Sequence, residues 1–166
     1  MTEPVTSRAT PIRTPLETVL AYIERYNNSD AQGMYDLMAV DFHRVGGSTN
    51  WVHMSREMYR DMSERWNQAF DDNLWELIDV VVAGSAVVAE FYESATFQRP
   101  WPITNTRIVQ PNGKSYRARA TVWFTVNGRG LIDTYRYYCD DGFSHAYNEV
   151  IAASGSEPLL TPIRPE

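Results

Sequence analysis

The sequence predicts a single α+β domain, and three observations predict it. Helix-patterned segments fill the first part of the chain, four long runs of alternating apolar residues follow, and Gly-rich or Pro-rich turn signals separate those runs. A chain of 166 residues fits one core, since two compact domains of this total length would each be small. The expected organisation is a Pro-, Thr- and Ser-rich arm over 1–13, one domain over 14–150, and an extended Pro-bearing tail over 151–166.

The first helix is expected over 15–27. Thr14 caps it, Pro15 suits its first position, and Glu17 completes a capping box, while Leu16, Val19, Leu20, Ile23 and Tyr26 recur at helical spacing. Asp30 caps a short second helix that turns Met34, Tyr35, Leu37 and Met38 to the core. "DFHRVGG" reads as a strand entering a turn, and a third helix from Ser55 places Met58, Met62, Trp66 and Ala69 on one side. That stripe needs a sheet to lie on. "LWELIDVVVAG", "AVVAEFYESATF", "KSYRARATVWFTV" and "GLIDTYRYYCD" supply it, with "GS" and "NGRG" as hairpin signals.

Composition narrows the function classes. Hydrophobic residues at 43% and charged residues at 22% are ordinary globular usage. Aromatic residues at 13% exceed what a core of this size needs, which suits a pocket for a flat apolar ligand or a subunit interface. A net charge of -6 argues against nucleic acid as a partner. The single Cys excludes an intrachain disulfide; three His at scattered spacing make no metal site, and there is no Gly-rich phosphate loop, so no cofactor is expected. With no signal-peptide core at the N-terminus and no long apolar run, the expected location is cytoplasmic, away from membranes.

Side chains alternate across a strand, so each run divides into two faces. Ala118, Ala120, Val122, Phe124 and Val126 form an apolar inner row. Val87, Ala89, Phe91, Glu93, Ala95 and Phe97 form another, interrupted by one acid. The same arithmetic puts Asp133 among Leu131, Tyr135, Tyr137 and Cys139. A carboxylate removed from water without a partner costs several kcal/mol, or its pKa rises and it holds a proton near neutrality. Glu93 and Asp133 are therefore the first candidates for general acid or base work, against the alternative that each faces solvent or pairs with Arg117, Arg119 or Arg136.

The segment "VLAYIERYNNSDAQGMYDLMAVDF" and the closing "VWFTVNGRGLIDTYRYYCD" resemble the NTF2-like superfamily, in particular its SnoaL-like polyketide cyclase and ketosteroid isomerase branches, over roughly residues 15 to 145. The resemblance implies a cone: a curved antiparallel sheet packed against three N-terminal helices around a deep apolar pocket, often in a homodimer. It implies an oxyanion donor at Tyr22, five residues before Asn27, while the isomerase base and second donor fall by count on Gly46 and Val122. His43, in the strand that carries the isomerase base, is an alternative base. Limonene epoxide hydrolases share the fold; their middle-strand pair corresponds to Phe91 and Glu93, and their last-strand acid to Tyr137.

Trp51, Trp66, Phe91, Phe124, Tyr135 and Tyr137 are expected to line or cap the cavity, and Trp123 and Tyr138, on the opposite faces, to suit a dimer contact. The expected function is a cofactor-independent cyclase, isomerase or dehydratase acting on an apolar polycyclic or terpenoid-like carbonyl compound. The alternative is a non-catalytic ligand-binding or dimerising domain, with epoxide hydrolysis a lesser one.

Overall fold

A computed structural model describes residues 12–46, 53–102 and 108–139. Residues 1–11 of the first arm, the whole tail, Trp51 and His145 lie outside those residues. Helix α1 (Pro15–Asn27) opens on the expected capping box. The Thr14 backbone N–H donates to Glu17 Oε2 at 2.8 Å, and the Glu17 N–H donates to Thr14 Oγ1 at 3.3 Å. Asp30 caps α2 (Ala31–Asp36), accepting from the Gly33 N–H at 2.8 Å, and the chain passes into β1 (Met38–Gly46). After β2 (Met54–Ser55), Ser55 caps α3 (Arg56–Ala69).

The buried stripe of α3 is rotated from the expected one. Met58 is 51% exposed, whereas Tyr59 and Ser63 are buried beside the partly buried Met62 and Trp66. Helix spacing alone does not fix which of two adjacent stripes meets the sheet, and the larger Tyr59 ring wins the contact here with Phe42 of β1, stacked at 5.9 Å.

The remaining chain forms β3 (Leu74–Ala83), β4 (Ala86–Thr96), β5 (Trp101–Pro102), β6 (Ile108–Val109), β7 (Ser115–Val126) and β8 (Ile132–Cys139). Six strands make one sheet in the order β2-β1-β8-β7-β4-β3, and β5 and β6 pair separately. Every neighbouring pair is antiparallel except β1 with β8, which run parallel. The alternation read from β4 and β7 holds throughout: Val87, Ala89, Phe91, Glu93, Ala95 and Phe97, and Ala118 through Val126 in steps of two, are all buried. Helix α1 packs on β3, β4 and β7, and α3 on β1, β2 and β5, so the core lies between the helices and this face.

The opposite face is half open. Trp123 is 41% and Tyr138 44% exposed. Ion pairs from Arg117 to Glu76 and from Arg119 to Glu90 cross it, and the Arg117 guanidinium lies 3.6 Å from the Tyr92 ring centroid. No helix among the described residues is long and apolar enough to cross a membrane.

The last hairpin anchors the first helix. Asn127 Oδ1 accepts from the Arg129 and Leu131 N–H groups, and Gly130 turns the chain at φ +73°. A Cβ there would stand 2.9 Å from the Arg13 carbonyl oxygen, and the Gly130 carbonyl accepts from Thr18 Oγ1 at 3.0 Å. Only glycine combines that positive φ with that approach. Gly130→Ala is therefore expected to lower stability by about 1–3 kcal/mol in a denaturant titration; a change below about 0.5 kcal/mol would show that the α1 start does not depend on this turn.

Candidate active site

Strand β4 carries Glu93 on its inner face between Phe91 and Ala95, 5% exposed. It opens on a cavity of about 60 Å³ bounded by α1, α3, β1, β3 and β8, enough for roughly four waters. Three phenols donate to the carboxylate: Tyr26 of α1 to Oε1 at 3.1 Å, Tyr116 of β7 to Oε1 at 3.2 Å, and Tyr137 of β8 to Oε2 at 2.8 Å. A carboxylate offers about four acceptor positions, two on each oxygen. Both on Oε1 are taken, which leaves one on Oε2.

Burial is the strongest influence on Glu93 and raises its pKa above the ordinary value, outweighing the three phenol bonds and the positive charge of Arg44, which lower it. Burial, and then the negative field of Glu93, raises Tyr26 and Tyr137 well above the usual phenol value, so both remain protonated donors. A proton taken up by Glu93 at the open position of Oε2 displaces none of the three phenols.

Arg44 is the second buried charge, 4% exposed. Its guanidinium carbon lies 5.1, 5.3 and 5.8 Å from the ring centroids of Tyr59, Tyr135 and Tyr137. The ring faces stabilise a cation that cannot lose its proton. Tyr59 is fixed from behind by Tyr22, hydroxyl to hydroxyl at 2.6 Å. The Trp75 ring stacks on Phe91 at 3.9 Å, opposite Glu93 in the β3–β4 register.

The structure gathers only some of the residues singled out from the sequence. Glu93, Trp66, Tyr135 and Tyr137 line the cavity. Phe91 and Phe124 are fully buried behind it, backing Trp75 and Tyr135. Tyr22 is likewise fully buried, a support for Tyr59 outside the cavity lining, and burial followed by the Tyr59 field raises its pKa far above the usual phenol value.

Asp133 does not share the inner face with Tyr135 and Tyr137. The β7–β8 register pairs Val126 with Ile132 but Thr125 with Thr134, so Asp133 is an extra residue, half-buried and hydrogen-bonded by Thr125 Oγ1. A bulge inverts the alternation on one side of it. That is why Ile132 and Tyr135, of opposite parity, are both buried.

His43 also faces away from the cavity. Phe42 and Arg44 take the inward positions of β1, and the His43 ring lies 5.9 Å from that of the exposed His53. The isomerase-type positions hold Gly46 at φ +91° and the fully buried Val122.

Arg44, Tyr26, Tyr59, Tyr116, Trp75 and Trp101 were missed. Tyr116 was within reach, since it continues the inner row of Ala118 two residues back. Tyr59 follows from the rotated stripe of α3. Nothing in "DFHRVGG" marks Arg44 as buried. Among the described residues, no group of three or more His, Cys, Asp or Glu is placed to hold a metal ion.

Comparison with known proteins agrees with this architecture. The chain matches a SnoaL-like polyketide cyclase candidate from Jannaschia sp. CCS1 at 20% identity and TM-score 0.69, covering 89% of this chain and 98% of that one. A hypothetical protein of Catenulispora acidiphila with a ketosteroid isomerase-like fold, in complex with trimethylamine, matches at 17% identity and TM-score 0.64, over 90% and 100%. An NTF2-like protein of Burkholderia thailandensis matches at 19% identity and TM-score 0.63, over 87% and 99%. At these identities the likeness is one of fold. No curated protein sequence matches. The family model for the SnoaL-like domain matches residues 19–134, from the first helix to the last strand, and the chain belongs to that family.

Proposed function

We propose that the protein is a cofactor-independent acid/base enzyme that abstracts a proton next to a carbonyl group of an apolar substrate, in a cyclisation, isomerisation or dehydration. The observation that carries this reading is Glu93: a buried carboxylate at the cavity wall with raised proton affinity and one acceptor position open on Oε2. A base of that kind sits closer to working pH than an exposed glutamate, and a positioned base contributes typically about 10²- to 10⁴-fold. Arg44 supplies a fixed positive charge for the negative charge that develops on the substrate. Tyr59 lines the cavity beside it, and Tyr22 positions Tyr59. Asp133, held by Thr125 outside the cavity lining, has no part in the step.

The affinities of the cavity wall support a small apolar ligand, since Trp66, Trp75, Trp101 and the tyrosines dominate it. A solved structure of similar fold is in complex with trimethylamine, a small molecule. A homodimer would use the open sheet face around Trp123 and Tyr138, where large side chains are half-exposed. The second reading, a binding domain without catalysis, draws support from the phenols themselves, because three donors already satisfy much of a buried carboxylate.

Exchange of the methyl protons of acetophenone for deuterium in D₂O, followed by NMR, separates the two. Wild type is expected to accelerate exchange over buffer, Glu93→Gln to lose at least about 10²-fold of it, and Asp133→Asn to stay within about twofold. No acceleration by wild type favours the binding domain; loss in Asp133→Asn with retention in Glu93→Gln reverses the assignment of roles.

Stability gives an independent test. Because the folded-state pKa of Glu93 is raised, its contribution is fully present below the ordinary value of 4.5 and is lost as pH rises through the folded value. The unfolding free energy of wild type relative to Glu93→Gln should therefore fall above pH 4.5, by about 1.4 kcal/mol for each pH unit between the two values. A difference that grows with pH would mean a carboxylate stabilised in its ionised form.

A further inference from the structure

We propose that the indole N–H of Trp75 is the seat of the substrate's carbonyl oxygen, so that Trp75 and Glu93 together select a compound whose acidic C–H lies next to that carbonyl. This rests on the acid/base reading of Glu93 given above. Trp75 lines the cavity, is 3% exposed, and its Nε1 has no hydrogen-bond acceptor among the described residues. A buried donor left without a partner is unfavourable, and indole N–H is a donor only, so the missing acceptor is an oxygen that enters the cavity.

The ring is held in place for that task. It stacks on Phe91 at 3.9 Å with planes 16° apart and lies against Tyr26 at 4.3 Å. The Asn27 side chain clamps the backbone on both sides, accepting from the Trp75 N–H at 2.8 Å and donating to its carbonyl at 3.1 Å. A donor fixed before the substrate arrives loses little freedom when it binds.

Register sets the two residues side by side. Trp75 of β3 is the direct cross-strand partner of Glu93 of β4, and both side chains point to the inner face. Directly opposed residues have Cβ atoms about 4.5–5.5 Å apart. In a ketone the oxygen and the α-carbon are two bonds apart, a span that suits one group at the indole and the other at the carboxylate. In the step, the α C–H bond breaks, the proton passes to Oε2 of Glu93, and the electron pair moves onto the carbonyl oxygen as an enolate hydrogen-bonded by Trp75. Return of the proton regenerates the ketone. A ligand lacking the oxygen fills the same space but leaves the N–H unpaired.

The probes are acetophenone and α-methylstyrene, which replaces C=O by C=CH₂ in nearly the same shape. In wild type labelled with ¹⁵N at the indole nitrogens, the Trp75 resonance is assigned by its absence in Trp75→Phe or, should that variant not fold, from NOEs to the Phe91 ring. Acetophenone is expected to move the Trp75 proton downfield and α-methylstyrene to leave it in place. Trp75→Phe should weaken acetophenone about five- to tenfold, keep α-methylstyrene within about twofold, and slow methyl deuterium exchange on the order of 10²-fold. The proposal is overturned if neither probe moves the resonance, if both move it alike, or if Trp75→Phe retains the preference for acetophenone. An unmoved resonance with exchange still lost in Glu93→Gln removes Trp75 and keeps the base. A moved resonance without exchange in wild type keeps the carbonyl seat and removes the acid/base reading.

Discussion

A carboxylate inside an apolar sheet face must be surrounded by donors or hold a proton, and the way Glu93 meets that condition sets the arrangement around it. Its three phenol partners come from α1, β7 and β8. A helix, the neighbouring strand and the strand beyond are thus tied to one side chain of β4. Each bond is made in surroundings where a lost partner is expensive, so the three contacts fix relative positions more strictly than apolar packing would. Desolvation nevertheless exceeds what the phenols and Arg44 return, so burial leaves Glu93 with a raised proton affinity.

The second buried charge obeys the same constraint differently. Arg44 lies against the faces of Tyr59, Tyr135 and Tyr137. Tyr137 therefore serves both charges, its hydroxyl on Glu93 and its ring beneath Arg44. One aromatic residue between a carboxylate and a guanidinium keeps them within each other's field, which lowers the Glu93 pKa, without joining them in an ion pair that would hold the acid fully ionised. The bulge at Asp133 is what delivers Tyr135 and Tyr137 to the inner face in that register.

Much of this was legible in the sequence where local chemistry and tertiary packing agree. Thr14 and Glu17 announce the first helix, and the strict alternation of β4 and β7 exposes Glu93 as the one acid in an apolar row. Legibility fails where a single residue shifts the count. Asp133 is inserted by a bulge, so parity carried from Leu131 gives the wrong face for everything before Tyr135. In β1, register slips between Met38 and His43, and the inward position falls on Arg44, a residue whose charge argues for solvent when its three ring partners lie 15 or more positions away in sequence. Tyr22 was placed at the site by resemblance; the structure puts it one hydroxyl behind.

The central claim is that Glu93 carries a proton more readily than an ordinary glutamate. A pH titration of its ¹³C-labelled side-chain carboxyl by NMR, with Glu93→Gln to assign the resonance, measures this directly. The account predicts a midpoint above the ordinary value of 4.5. A midpoint at or below that value would mean that the phenols and Arg44 prevail over burial, leaving an ionised structural carboxylate.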